Sequence, residues 1–420
     1  MNKNNTKGSV LLLFIKNLFL LFIFRGLGVL TTVIVTIMAG RALSIEEMGQ
    51  FNLIFSLSNV IVIPLVMGVN NTLLKILPEA EEEKRQEILG TVIIGNIGLC
   101  LIVSVTGILI SPVICRILNI SYMSWYLAIF LAIITNICII TETVLKTNEK
   151  FTQIGIARVI GSVILFGSYM ICILAFHTIN CHLFVSFNII GQVTVFFISL
   201  YKFEKVKFRF DSKIAGSVFK ISVMYMFSWL LIAALNYADV YIISAMRNTY
   251  EVGIFSGYQT NIRNYFSVFY NDIFAAVMLP TLINHNADQK RLVKTVLKFL
   301  PVIFLIISSG TIVVILGLLF AFGKKYPIIW PYILIEAAGI GFQGIYYFFN
   351  SLLVTEGKMG AKDSLSLLAK PFVLLITIMF LGTKYLGILG TFLSFTINQA
   401  ILAALLVSRY YKRIVKNNVV

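Results

Sequence analysis

Charged residues are scarce in this sequence. They make up 12% of its 420 residues, whereas an ordinary soluble domain carries about 25%. Hydrophobic residues reach 59%, and the mean hydropathy is +0.92. This composition excludes a water-soluble globular domain and is typical of a chain whose helices are surrounded by lipid. The sequence therefore predicts a polytopic membrane protein.

A cleavable signal peptide is also missing. Lys3 and Lys7 precede an apolar run that continues past Lys16 and Arg25 as far as Ala42. This run contains no small-residue cleavage site of the kind that ends a signal peptide. We expect it to be the first membrane-spanning segment.

Residue patterns typical of enzymes and metal centres are absent from the sequence. It has no nucleophile–base pair and no phosphate-cradling loop, and His177, Cys181 and His182 supply no fourth metal ligand. The match to a dinucleotide-binding motif at residues 339–344, Gly-Ile-Gly-Phe-Gln-Gly, lies inside an apolar run, so we interpret it as close helix packing. The five cysteines lie mainly in apolar runs and predict no disulfide framework. We expect neither catalysis nor a metal or other cofactor.

Positive charge exceeds negative charge, with 34 Lys and Arg against 18 Asp and Glu and a formal net charge of +16. If the N-terminus is cytoplasmic, 26 of the basic residues fall on the cytoplasmic side and 6 on the other side. This is the distribution that the positive-inside rule describes. The basic residues are spread over seven cytoplasmic segments and form no single face, so nucleic-acid binding is not expected. We predict that both termini are cytoplasmic.

Twelve apolar runs are long enough to cross a bilayer, which takes about 20 residues. The predicted spans are 18–42, 50–75, 88–110, 124–146, 153–176, 182–201, 217–246, 252–282, 294–320, 328–354, 364–383 and 386–408. They form two sets of six. We predict an N-terminal six-helix bundle at 1–200, a basic cytoplasmic linker at 201–216, a C-terminal six-helix bundle at 217–408 and a basic tail at 409–420.

A short segment occurs once in each half. Glu-Met-Gly-Gln-Phe at residues 47–51 is echoed by Glu-Val-Gly-Ile-Phe at residues 251–255, 204 positions later. Tryptophans at predicted external helix starts, Trp125 and Trp330, repeat at an offset of 205. Because six helices is an even number, such repeats are parallel and related by an axis along the membrane normal. We predict an all-α fold of two parallel six-helix bundles around a central cavity.

The same segments carry a family resemblance. Arg41 and the following Ala-Leu-Ser-Ile-Glu-Glu-Met-Gly-Gln-Phe, residues 42–51, resemble the "RxLGxxxxGxF" signature of polysaccharide-export flippases in the multidrug/oligosaccharidyl-lipid/polysaccharide superfamily, although Ser44 stands where the family often has glycine. Residues 236–244, Asn-Tyr-Ala-Asp-Val-Tyr-Ile-Ile-Ser, with 251–255 resemble the start of that family's second half. Within the superfamily the chain is most similar to Wzx-type O-antigen flippases.

The resemblance implies a function, partners and a location. Wzx-type flippases move an undecaprenyl-pyrophosphate-linked oligosaccharide from the cytoplasmic to the outer leaflet, as a step of O-antigen or similar polysaccharide synthesis. The implied partners are this lipid-linked substrate, membrane lipids and a polysaccharide polymerase. The implied location is the bacterial cytoplasmic (inner) membrane.

Arg263 is the most unusual charge in the sequence. It lies roughly 18 Å along its predicted helix from Glu251, near the middle of the bilayer, where an arginine costs about 2.5–3.5 kcal/mol on insertion scales. A guanidinium matches phosphate oxygens in bidentate geometry, so Arg263 is a candidate pyrophosphate ligand. The alternative is that it forms a structural ion pair, for which Asp239 on the preceding helix is within reach.

Other charged residues within or beside the predicted spans are weaker candidates. Three basic residues, which could also extend to lipid headgroups, are candidate cavity or substrate contacts: Arg25, Arg158 and Lys370. Four acidic residues are candidates for binding a coupling proton or sodium ion: Asp239, Glu336, Asp272 and Glu142. Of these, Glu142 and Asp272 lie toward cytoplasmic helix ends and are also explained as ordinary interface residues.

Two other transport functions and one enzymatic function remain as alternatives. Multidrug exporters of the superfamily use an acidic residue in the first span, whereas this first span has Arg25 and no carboxylate. Lipid II flippases usually have two further helices. A polysaccharide polymerase or ligase would carry a long external loop, and the longest one predicted here has only about a dozen residues.

Overall fold

The computed structural model describes residues 30–176, 180–201, 203–270, 286–355 and 358–416, and its regular elements are helical throughout. The helices of the first half are α1 (Leu30–Ala42), α2 (Ile45–Val66), α3 (Val69–Ile76), α4 (Glu82–Leu118), α5 (Tyr122–Thr147), α6 (Phe151–Phe176) and α7 (Cys181–Ser199). Those of the second half are α8 (Ser212–Met246), α9 (Thr249–Phe255), α10 (Asn261–Val268), α11 (Asn286–Phe322), α12 (Trp330–Thr355), α13 (Lys358–Ala369) and α14 (Phe372–Lys416). A π-helical turn, Ser256–Thr260, joins α9 to α10.

The predicted all-α polytopic class is confirmed. Among the described residues, nine helical stretches are long and apolar enough to cross a membrane. α1 is shorter in its described part. The predicted span 364–383 begins in α13 and continues into α14, which also contains the predicted span 386–408. A kink at Gly387, with φ 62° and ψ −142°, divides α14 between these two spans.

The predicted span 50–75 is wrong as a single helix. α2 ends at Val66, and the backbone turns at Met67 and Gly68, which have φ values of 49° and 72°. The turn is required by close packing, since a Cβ on Gly68 would lie 2.6 Å from the carbonyl oxygen of Ser222 in α8. A glycine tolerates both the positive φ and this approach.

The described chain divides into two compact units. The N-terminal unit is Met1–Ala42 with Leu53–Ala233, and the C-terminal unit is Leu43–Asn52 with Ala234–Val420. Each unit therefore includes a short piece of chain from the other half of the sequence. Residues 212–216, which the sequence assigned to the linker, form the first turns of α8.

The core of the N-terminal unit is built on α3, α4, α5 and the start of α8. Leu73, Leu89, Val144 and Val218, one from each helix, are buried together there. Two buried asparagines of this unit pair with each other. The Asn136 amide donates to Asn96 at 2.8 Å, and Asn96 donates at 2.8 Å to Leu65 O. That carbonyl is among the last four of α2, which the helix itself leaves unsatisfied.

The linker is fastened to the N-terminal unit at the start of α4. It crosses α4 so closely that a Cβ on Gly90 would lie 1.8 Å from Lys207 O. The Arg85 guanidinium bonds Glu204 of the linker at 2.5 and 2.9 Å and also donates to Asn148 after α5. Asp211 then caps α8. Hydrogen bonds from the backbone N–H groups of Ile214 and Lys213 hold the pKa of its carboxyl below the ordinary value.

The core of the C-terminal unit lies between α11, α12, α13 and α14. Phe349, Leu352 and Leu353 of α12 are fully buried there against α13 and α14, together with Leu368 and Leu406. The aromatic run of residues 346–349 thus contributes core packing. The glycines of residues 339–344 confirm the helix-packing interpretation, since a Cβ on any of the three would lie 2.4–2.7 Å from a side chain of another helix.

The repeated segments of residues 47–51 and 251–255 contact each other. A Cβ on Gly49 would lie 1.9 Å from Thr249 O, and a Cβ on Gly253 would lie 1.9 Å from Ile45 O. Thr249 and Gly253 stand 204 residues after Ile45 and Gly49 respectively, so the contact is reciprocal. The backbones of α2 and α9 meet at two glycines because any side chain would hold them apart.

Both segments also begin their helices with the same cap. Ser44 and Glu47 form a capping box, in which Glu47 N donates to Ser44 Oγ at 3.2 Å and Ser44 N donates to the Glu47 carboxylate at 3.0 Å. At the equivalent place, Asn248 accepts from Glu251 N at 2.8 Å. The Ser44 that departs from the family signature is thus the N-cap of α2.

Candidate functional site

The candidate site is a buried group of three charged side chains in the C-terminal unit, Asp239 of α8, Arg263 of α10 and Glu336 of α12. We call it the buried charge site. Arg263 Nη1 donates to Asp239 Oδ2 at 2.8 Å, and the side chains of the pair are 4% and 0% exposed. The ion pair that the sequence offered as the alternative for Arg263 is therefore present.

The ion pair leaves polar atoms of the site without hydrogen-bond partners among the described residues. Arg263 Nη2 has no hydrogen-bond partner among the described residues, and neither carboxylate oxygen of Glu336 has one. Glu336 is fully buried and within electrostatic range of Arg263. Since Asp239 already neutralises the arginine, an ionised Glu336 is an excess negative charge. A buried carboxylate of this kind is costly unless it carries a proton or a cation.

Aromatic and polar groups complete the surroundings of Arg263. Its guanidinium carbon lies 5.1 Å from the centroid of the Phe395 ring in α14, an arrangement that favours a cation. The other oxygen of Asp239, Oδ1, accepts from Val240 N at 2.8 Å. Asp239 is thus held in place by its own helix while it binds the arginine.

The π-helical turn immediately before Arg263 is a second polar feature of the site. Its five residues are buried, and the side chains of Ser256, Gln259 and Thr260 have polar atoms without partners in the part of the chain that the structure describes. π-helical turns are rare and are often found at functional sites. Their signal in the sequence is a polar stretch, Ser-Gly-Tyr-Gln-Thr-Asn at residues 256–261, inside an apolar run. The sequence analysis missed this feature.

Two predicted site residues bind each other in the N-terminal unit. Arg158 of α6 contacts Glu142 of α5 through two hydrogen bonds of 2.8 Å, from Nε to Oε1 and from Nη2 to Oε2. The arginine side chain is 40% exposed. This side-on pairing occupies both groups, so the structure favours a structural ion pair for them.

Three predicted site residues remain. Lys370 is exposed at the break between α13 and α14, just before Pro371. Arg25 and Asp272 lie outside the described residues. Their roles stay predictions.

Solved structures define the class of protein. The chain matches an inward-facing multidrug resistance MATE family transporter of the MOP superfamily with a TM-score of 0.71 and 15% identity, covering 93% of this chain and 95% of that one. It matches lipid II flippase MurJ in an inward closed conformation with a TM-score of 0.72 and 16% identity, over 94% and 87% of the two chains. The fold is that of the MOP superfamily, so the chain is a multi-pass membrane protein with this architecture.

A family model narrows the identification. The model of the polysaccharide biosynthesis protein family matches residues 14–285, and the chain belongs to this family. No curated protein matches the chain in sequence. The predicted resemblance to the superfamily is thereby confirmed, whereas the Wzx type stays a prediction.

Proposed function

We propose that this chain is a flippase for a polyprenyl-diphosphate-linked oligosaccharide, such as an O-antigen or similar repeat unit. Its substrate crosses from the cytoplasmic to the outer leaflet by alternating access. The family supports an anionic lipid-linked sugar as substrate, and the fold supports transport. The observation that carries the proposal is the Arg263 guanidinium, which is buried within a membrane helix and has a hydrogen-bond donor without a partner in the described part of the chain.

The proposed substrate contact is between the diphosphate and Arg263. Phosphate oxygens accept guanidinium hydrogen bonds in bidentate geometry. Arg263 Nη1 donates to Asp239, and Nη2 has no partner among the residues that the structure describes. The diphosphate would therefore compete with Asp239 for the arginine. Binding of the head group then releases a buried carboxylate.

Competition for Arg263 provides a mechanism of coupling. When Asp239 loses its arginine, it must take up a proton or cation to stay buried. Glu336, beside the same arginine, is also a buried carboxylate, and neither of its oxygens has a partner among the described residues, so it too requires a proton or cation. A proton or sodium ion bound at these carboxylates biases direction through its differential affinity for the two facing states. The protein is then an antiporter of lipid-linked sugar against cation.

The proposed location is the bacterial cytoplasmic membrane, with both termini in the cytoplasm and residues 201–216 and 409–420 on the cytoplasmic side. The excess of lysine and arginine in the loops assigned to that side supports this orientation. We further propose that residues 1–200 and 217–408 act as the two six-helix bundles, and that a polysaccharide polymerase receives the flipped product.

Reconstitution distinguishes the proposed substrate from the alternatives. The purified chain is placed in liposomes with a fluorescent undecaprenyl-diphosphate oligosaccharide, and translocation is read as loss of protection from a membrane-impermeant quencher. Parallel liposomes contain fluorescent lipid II or are loaded with rhodamine 6G. We expect movement of the oligosaccharide lipid. Transport of rhodamine 6G alone would identify a multidrug exporter, and transport of lipid II alone would identify a lipid II flippase.

A further inference from the structure

An apolar pocket lies in the C-terminal unit beside the buried charge site. It has a volume of about 470 Å³ and is lined by side chains of α10, α11 and α12 and by the residues just after α10. Phe266, Tyr270, Leu300, Ile303 and Phe348 are among them. A pocket of 300–1,000 Å³ is the size in which small ligands bind. This one has an almost wholly apolar lining, so its ligand is an apolar chain.

The pocket lies next to exposed apolar residues of α11. Its lining residues on α11 recur at intervals of three and four and are half-buried, and Phe269 is 55% exposed. Between them α11 presents Leu305 and Ile306, which are 61% and 66% exposed. Large exposed apolar residues on a membrane helix contact lipid tails. An apolar chain can therefore enter the pocket from the bilayer.

The pocket and Arg263 share one face of a helix. Phe266 stands three residues after Arg263 on α10, a spacing that places the two side chains on one side of the helix, and Tyr270 follows just after α10 ends at Val268. The rise from Arg263 to Phe266 is roughly 4.5 Å. A cationic group thus stands directly beside an apolar pocket on the same surface.

Close packing at a glycine brings the pocket walls of α10, α11 and α12 together. A Cβ on Gly344 of α12 would lie 2.6 Å from Ile307 Cδ1 and 3.1 Å from Phe266 Cζ. An aromatic contact also joins α10 to α12, since the Phe266 ring stacks on Tyr347 with centroids 6.2 Å apart. The Tyr270 hydroxyl donates to Ser351 Oγ at 3.2 Å, which turns its polar end away from the cavity. The walls are therefore fixed before any ligand arrives.

We infer that this pocket binds the polyprenyl tail of the substrate, at the end next to the diphosphate. The inference rests on the proposed function. In a polyprenyl diphosphate the apolar chain is joined directly to the anionic head, so a head at Arg263 places its first isoprene units within reach of Phe266 and Tyr270. Lipid tails are as apolar as the pocket, so burial alone gives no affinity. The site acts through shape, by fixing the tail where the head meets Arg263.

A photoreactive lipid tests this inference. The full chain in liposomes is illuminated with a polyprenyl diphosphate that carries a diazirine in its second isoprene unit, and labelled residues are mapped by mass spectrometry. We expect labelling of α10 and α11 at the pocket, which unlabelled polyprenyl diphosphate reduces and excess phosphatidylglycerol does not. Ile303→Trp should abolish the labelling by filling the pocket. Leu305→Trp, on the exposed side of α11, should leave it unchanged.

Three outcomes would overturn the inference. These are labelling outside the pocket, reduction by phosphatidylglycerol to the same extent, or equal labelling by a diazirine phosphatidylcholine, which would mark an ordinary acyl-chain slot. Wild-type labelling decides the matter even if Ile303→Trp fails to fold. Arg263-dependent binding of a short-chain citronellyl-diphosphate disaccharide is measured separately. If it binds while the pocket stays unlabelled, the tail site is wrong and the proposed function stands. If it does not bind either, the proposed function fails as well.

Discussion

Two arginine–carboxylate pairs between helices, Arg158–Glu142 and Arg263–Asp239, differ in the polar groups that they leave without partners among the described residues. Arg158 and Glu142 meet through two hydrogen bonds, with the arginine 40% exposed. Arg263 and Asp239 meet through one, with both side chains buried, and a further carboxylate, Glu336, stands nearby without a partner among the described residues. The first pair is joined by two hydrogen bonds, whereas the second pair leaves Arg263 Nη2 without a partner among the described residues. An ion pair therefore indicates a binding site when part of its bonding capacity is unused.

The largest expected contrast between the two pairs is in transport. Arg263→Ala should abolish translocation of the fluorescent oligosaccharide lipid in liposomes, because the diphosphate loses its guanidinium ligand. Arg263→Lys should restore only part of it, because lysine keeps the charge but not the fork. Arg158→Ala is the matched control and should retain most of the rate. Wild-type translocation by Arg263→Ala, at equal protein content, would remove Arg263 from the substrate site.

The next contrast is in stability. Removing one partner of a buried ion pair costs about 3–5 kcal/mol, because the other charge stays buried. Glu142→Ala instead leaves Arg158, whose side chain is 40% exposed and can be solvated. Asp239→Ala should therefore lower the midpoint of thermal unfolding in detergent far more than Glu142→Ala does. The double variant Asp239→Ala/Arg263→Met should recover much of the loss. Similar shifts for both single variants would show that the two pairs are energetically alike.

A smaller contrast concerns the driving force. A membrane potential of 100 mV supplies about 2.3 kcal/mol per charge, equivalent to roughly fifty-fold accumulation at equilibrium. Asp239→Asn should remove the dependence of transport on an imposed proton or sodium gradient while substrate binding remains. Glu142→Gln should keep that dependence. If wild-type flipping is unchanged when both gradients are collapsed, the protein is a facilitator, and Asp239 is only the structural partner of Arg263.

The smallest expected effect belongs to the aromatic ring beside Arg263. A cation–π contact contributes about 0.5–2 kcal/mol, with the upper end at desolvated sites. Phe395→Leu should destabilise the wild type by about 1 kcal/mol more than it destabilises Arg263→Met. Thermal unfolding of the four proteins in this cycle measures the difference. Equal effects in both backgrounds would leave Phe395 as packing alone.

The sequence was informative wherever one residue contradicted its surroundings. Arg263, Asp239 and Glu336 stood out as charges within apolar runs, and they now form one site. The class of fold was predicted from the apolar runs, because they are long enough to cross a bilayer. The pairing of Arg158 with Glu142 was not foreseen, because it depends on how α5 and α6 face each other. The sequence left both residues as candidates, Arg158 for a cavity contact or a headgroup contact and Glu142 for ion binding or an ordinary interface residue.

Features that depend on contact between distant segments were not predictable. The break at Gly68 is needed because Ser222 lies 2.6 Å from where a Cβ would be. No pattern in the sequence around Gly68 predicts this contact with Ser222. The π-helical turn at 256–260 had a weak local signal in its polar composition, yet a polar stretch alone does not fix helix geometry. Helix propensity and periodicity predict the conformation of a single helix. The break at Gly68 and the π-helical turn depend on contacts with other helices.

The reciprocal glycine contact of α2 and α9 has a consequence for the assembly of a single repeat. Each copy of the repeated segment presents the same surface to the other, so that Gly49 meets Thr249 and Gly253 meets Ile45. An interface in which one patch binds its own equivalent is isologous, the kind that holds a twofold-symmetric dimer together. We therefore expect that a single predicted six-helix repeat carrying this segment would pair with a second copy of itself at these glycines.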